Sequence, residues 1–156
     1  TARDIYGMSK SVGEPENATV IRTSIIGEEI DHSRSLVEWV KSNKGKKVLG
    51  YTNHWWNGIT CLQFAKICEE IIEKNLFWKG IKHVVSPTVI NKYDLVKLIA
   101  DTYDLGISVS PTDTDIMCDR SLTSTRTDVM FKDIPELKDQ IIEMKKFYSK
   151  LKKEKI

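Results

Sequence analysis

Apolar residues at 61, 62, 64, 65, 68, 71 and 72 repeat at the interval of one helix face, which predicts a helix over 59–75. A second stripe, Leu95, Val96, Leu98, Ile99 and Tyr103, follows Asn91, whose short polar side chain suits a helix N-cap. A third, Leu137, Ile141, Met144, Tyr148 and Leu151, follows Pro135, a residue tolerated in a helix's first turn. Ser33 or Ser35 can cap a further helix running to about Asn43, with Gly45 past its end. Residues 6–14 read as the tail of a helix stopped by Pro15. Between these stretches the pattern changes. Residues 19–25 alternate weakly and are rich in β-branched side chains, which predicts one buried strand. Short strands are predicted at 47–51, 82–86 and 107–109, and His54-Trp55-Trp56 reads as an aromatic loop packed on the domain.

Strands that alternate with helices argue for an α/β class with parallel pairing. A chain of 156 residues can bury one sizeable core. No run of eighteen apolar residues occurs, so no membrane-spanning helix and no membrane partner is expected.

Charge changes the picture little. Twenty-four Lys and Arg against 22 Asp and Glu leave +2, too balanced to point to nucleic acid. The lysines from Lys145 to Lys155 are interrupted by Glu154 and read as a solvated helix face. Cys61, Cys68 and Cys118 are odd in number and lack metal-ligand spacing. They read as reduced cysteines of a cytoplasmic protein, Cys61 and Cys68 on one buried helix face. His32, His54 and His83 are spread apart, so no metal is expected.

The candidate chemistry lies at the start. Tyr6 and Lys10 are four apart, so a helix puts both on one face. An ammonium roughly 4 Å from a phenol attracts its phenolate by about 4 kcal/mol at intermediate dielectric. Such a tyrosine can serve as a general acid.

The surroundings extend the pattern. Tyr6-Gly7-x-Ser9-Lys10-x-x-Gly13-Glu14, followed by Val20-Ile21-Arg22-Thr23-Ser24-Ile25-Ile26-Gly27, resembles the extended short-chain dehydrogenase/reductase family. The similarity is to its sugar-nucleotide branch, the relatives of dTDP-4-dehydrorhamnose reductase. It continues through Gly50-Tyr51-Thr52-Asn53, Trp56-Asn57-Gly58-Ile59-Thr60, His83-Val84-Val85-Ser86-Pro87, Lys92-Tyr93-Asp94-Leu95 and Asp119-Arg120-Ser121-Leu122-Thr123-Ser124.

The resemblance implies an NAD- or NADP-dependent reductase that transfers hydride to a keto carbon of a nucleotide-linked sugar. Tyr6 would protonate the alkoxide. Lys10 would hold the nicotinamide ribose and stabilise the Tyr6 phenolate. Thr23, Ser24 and Ile25 would flank the nicotinamide, and Ile25 the sugar as well. An aromatic residue usually stands at the Ile25 position in the rhamnose-type reductases. Trp56 and Asn57 are expected beside the substrate, since aromatic rings stack on sugars and bases. Arg120 and Arg126 can meet a diphosphate with their forked donors.

The glycine-rich phosphate-binding turn of a dinucleotide fold is absent from this sequence. The resemblance places that turn upstream. Residues 1–156 are therefore expected to be one fragment of a longer protein. It would hold the C-terminal portion of a Rossmann-like NAD(P)-binding fold plus a small substrate-binding domain, and would be inactive alone. Lacking its strand partners, it is expected to form a homo-oligomer. The same Tyr and Lys serve epimerases and dehydratases of the family, and a non-catalytic sugar-nucleotide-binding subunit is a further alternative.

Overall fold

Side-chain caps set three of the helix starts. Ser35 Oγ accepts from Glu38 N ahead of α2 (Leu36–Ser42), Thr60 Oγ1 from Gln63 N ahead of α3 (Cys61–Glu73), and Asn91 Oδ1 from Asp94 N ahead of α4 (Lys92–Thr102). Each cap satisfies an N–H that the first helical turn leaves without a partner. The remaining helices are α1 (Ile5–Val12) and α5 (Leu137–Glu154). The structure, a computed structural model, describes residues 5–124, 131 and 133–154.

Among the described residues the strands form four small sheets. β1 (Thr19–Arg22) runs parallel to β6 (Gly80–His83), β2 (Ile25–Ile26) to β5 (Ile59–Thr60), and β3 (Lys47–Tyr51) to β8 (Ser108–Thr112). In the fourth, β4 (His54–Trp56) lies between β7 (Ile90–Asn91), antiparallel, and β9 (Cys118–Asp119), parallel. The architecture is α/β with predominantly parallel pairing, as the alternating pattern predicts.

Two apolar clusters hold these pieces. The larger packs Val37 and Val40 of α2, Leu95, Val96 and Ile99 of α4, and Leu137, Ile141 and Met144 of α5 around Ile26. The smaller packs Ile67 and Ile71 of α3 on Ile59 and Val84.

Four expectations need correction. Residues 19–25 are not one buried strand. β1 is half-buried throughout, and the chain leaves β6 after Arg22 and joins β5 at Ile25. This change of partner depends on segments far away in the chain. The His54-Trp55-Trp56 loop is strand β4, edged on both sides by other strands. The third helix begins at Cys61 because Ile59 and Thr60 are a strand and its cap. Its inward residues are Gln63, Ile67 and Ile71, while Ile72 is exposed. Cys61 and Cys68 are half-buried, at the margin of that face.

Candidate active site

Helix α1 carries Tyr6 and Lys10 one turn apart, with the Lys10 ammonium 5.7 Å from the centre of the Tyr6 ring. This is a cation–π distance. Tyr6 is 72% exposed and no residue of α1 is buried, so the pair faces open space.

A tie to the sheet follows the end of this helix. Arg22 Nε and Nη2 donate to Glu14 Oε1 and Oε2 at 2.7 and 2.5 Å. This fork-to-carboxylate geometry is the strongest form of ion pair, and it joins the end of α1 to the last residue of β1. The Arg22 hydrogen bond holds the Glu14 carboxyl below the usual carboxylate range, and Glu14 in turn raises Arg22. His83 lies opposite Arg22 in the β1–β6 register. Burial first, then the Arg22 charge, holds His83 below its ordinary value.

Past Arg22 come the three residues expected at the cofactor. Thr23 Oγ1 donates weakly to the Ser24 carbonyl at 3.4 Å. That carbonyl accepts from Ile59 N at 2.9 Å, the bond that opens the β2–β5 ladder. The Ser24 hydroxyl accepts from Trp56 Nε1 at 2.7 Å. Ile25 is 49% exposed at the surface of this turn, and Ile26 is buried beneath it.

Beside the turn lies a cavity of about 340 Å³. Its wall includes Ile26, His54, Trp55, Trp56, Lys92 and Arg120. A second cavity of about 400 Å³ adjoins it, sharing Leu36 and Lys92 and adding Arg34, Trp39 and Tyr51. Lys92 Nζ stands 5.5 Å from the Tyr51 ring centre, at the seam between the two. Aromatic walls with cations between them suit a ring joined to a diphosphate.

The structure brings some expected residues together and not others. Trp56 and Arg120 share the first cavity, whereas Tyr6, Lys10, Ser24 and Ile25 are outside its wall. Asn57 is only 5% exposed, and both the nitrogen and the oxygen of its amide are hydrogen-bonded. Its Nδ2 donates to Leu122 O at 2.9 Å and its Oδ1 accepts from Leu122 N at 2.8 Å. Asn57 therefore holds the segment after Arg120 in place. Arg126 lies outside the described residues.

Lys92 is a wall residue that sequence reasoning did not assign to the site. Lys92 follows the Asn91 cap, and nothing local separates it from any lysine in a first helical turn. Among the described residues no group of three or more His, Cys, Asp or Glu could hold a metal ion, and no helix is long and apolar enough to cross a membrane.

No protein-family model and no curated protein matches the sequence. Solved structures do. The dTDP-4-dehydrorhamnose reductase of Bacillus anthracis, solved with NADP, matches with a TM-score of 0.65 at 13% identity, over 83% of this chain and 47% of its own. A hypothetical dTDP-4-dehydrorhamnose reductase of Sulfolobus tokodaii matches at 0.59 and 24% identity, over 80% and 49%. The chain shares their fold. The same fold extends to a UDP-N-acetylglucosamine 4-epimerase of Methanobrevibacter ruminantium in complex with UDP-N-acetylmuramic acid. That match has a TM-score of 0.56 and 13% identity, over 84% and 46%. The chain spans about half the length of these structures.

Proposed function

We propose that residues 1–156 are the end of the dinucleotide-binding sheet and the substrate-binding part of a longer NAD(P)-dependent sugar-nucleotide reductase. The observation that carries this reading is the Tyr6–Lys10 pair, set on one exposed helix face and clamped to the strand that leads into Thr23–Ile25. The shared fold supports it.

The residues present fit the nicotinamide end of a cofactor. Tyr6 and Lys10 face open space, and Ile25 is half exposed where the strand ends. Thr23, Ser24 and Ile25 border that end, and Lys10 holds the ribose hydroxyls. A bound dihydronicotinamide supplies the hydride. Tyr6 Oη gives its proton to the oxygen of the reduced carbon, with the Lys10 charge stabilising the phenolate left behind. Trp56 walls the substrate cavity, Arg120 and Lys92 meet the diphosphate, and Asn57 keeps the Arg120 segment in place. Arg126 belongs to the same proposed set.

The test uses the full-length protein with NADPH or NADH and a nucleotide-linked 4-keto hexose. Loss of reduced-cofactor absorbance that depends on the sugar is expected. Tyr6→Phe lowers kcat by about 100-fold or more and leaves cofactor affinity nearly unchanged. Lys10→Met damages both. Near-normal turnover in Tyr6→Phe overturns the assignment, and sugar interconversion without net cofactor consumption replaces a reductase by an epimerase.

A further inference from the structure

Trp56 touches both halves of the candidate site. Trp56 lines the cavity together with Arg120 and Lys92. Its Nε1 is committed to Ser24 Oγ at 2.7 Å, across the β2–β5 junction. We propose that Trp56 is a positioning residue: it fixes the direction of the Ser24 hydroxyl and thereby links the substrate cavity to the cofactor-side turn. This inference rests on the reductase reading for what the turn does, but the coupling itself rests on geometry.

The chemistry of the pair sets the direction. An indole N–H can only donate, so Ser24 Oγ is the acceptor in this bond. The hydroxyl proton remains available as a donor toward a second partner. Trp56 thus presents Ser24 as a donor to an acceptor oxygen of whatever occupies the turn.

Trp56 has little freedom to do otherwise. Asn57 is anchored on both sides, its amide to Leu122 and its carbonyl to Ser86 N at 2.8 Å. Arg120 N donates to Trp55 O at 3.0 Å. At Gly58 a Cβ would overlap both the Ser24 carbonyl and the Trp56 ring, so only glycine lets the indole lie so close to the turn. Ser24 in turn is held at two points, its carbonyl by Ile59 N and its hydroxyl by Trp56. A sugar-stacking tryptophan needs none of these ties.

The experiment compares Trp56→Phe, Ser24→Ala and the double variant in the full-length protein. Trp56→Phe keeps an aromatic ring in the wall and removes the indole N–H together with the five-membered ring, whereas Ser24→Ala removes the acceptor and leaves the indole whole. Each single variant is expected to lower kcat by about tenfold, the loss of one hydrogen bond, with KM for the nucleotide sugar within about twofold of the parent. The double variant falls no further than the worse single one, because both remove the same interaction. A raised KM with unchanged kcat in Trp56→Phe makes the ring a substrate wall only and overturns the proposal. Additive losses overturn it too. A second measurement needs no turnover. The nitrogen-15 indole resonance that disappears in Trp56→Phe is expected to shift, and its proton to exchange faster, in Ser24→Ala. An unmoved indole signal overturns the coupling. A full-length protein inactive on keto sugars sinks the reductase reading, while the indole signal still decides the link to Ser24.

Discussion

Glu14 and Arg22 form a two-pronged ion pair that ties the end of helix α1 to strand β1. Since no residue of α1 is buried, this pair is expected to contribute to the position of Tyr6 and Lys10. Glu14→Gln keeps the shape and removes the charge. Amide exchange in α1 is expected to quicken clearly while α4 and α5 keep their protection. Unchanged exchange in α1 assigns its docking to other contacts.

The same pair makes α1 docking pH-dependent. Glu14 has a folded pKa below its ordinary value, so its contribution is present above the normal carboxylate range and is lost as pH falls through the lowered value. His83 is also lowered, by burial first and by Arg22 second. Its neutral form is favoured in the fold, so stability declines from about pH 6.5 downward until His83 protonates. Acid is therefore expected to loosen the β1–β6 edge in two stages, His83 first and Glu14 second. Far-ultraviolet dichroism and amide exchange from neutral to acid pH check the order, and His83→Gln removes the first stage alone.

Glu28 is 8% exposed and is held by Lys41 Nζ at 2.5 Å and by Tyr103 Oη at 2.8 Å. Burial, then the Glu28 hydrogen bond, pushes the Tyr103 phenol far up. Lys41→Met removes the cation beside a buried carboxylate and is expected to cost about 3 kcal/mol or more. Tyr103→Phe removes one hydrogen bond to a charge, about 1.5–3 kcal/mol. Urea denaturation checks both values, and the order Lys41 above Tyr103 is the informative result.

Gln140 is 1% exposed on α5 and reaches the residue that caps α3. Its Oε1 accepts from Thr60 N at 3.1 Å and its Nε2 donates to Pro135 O at 2.7 Å. Gln140→Leu fills the space but leaves the buried Thr60 N–H unpaired. A loss of about 1–3 kcal/mol is expected in denaturant unfolding. A neutral or stabilising result shows that Thr60 N finds another acceptor.

Arg120→Ala in the full-length protein is expected to raise KM for the nucleotide sugar by about tenfold or more, as loss of a charged hydrogen bond requires, and to spare cofactor affinity. Lys92→Met is expected to act in the same direction. A fall in cofactor affinity with KM intact reverses the assignment of this cavity.

The sequence by itself determined where the helices lie and the starts of α2 and α4, because caps and apolar stripes are local; the start of α3 it placed two residues early. Asn91 and one of the two candidate serines, Ser35, stand where their side chains reach the first free N–H groups. It also determined that Tyr6 and Lys10 share a helix face, since four residues make about one turn. The α/β class followed from alternation of the two periods. Partnership was beyond it. That the 19–26 stretch leaves β6 for β5 at Ser24 depends on strands more than thirty residues away in the chain. That His54–Trp56 is a strand depends on β7 and β9 lying on either side. Gln140 looks like a surface residue until α5 packs against Thr60. Lys92 and Arg120 belong to one cavity only because β4 carries both neighbours. Local spacing encodes dihedral angles and faces. Which faces meet is decided by long-range packing and by the hydrogen bonds that buried polar groups must find.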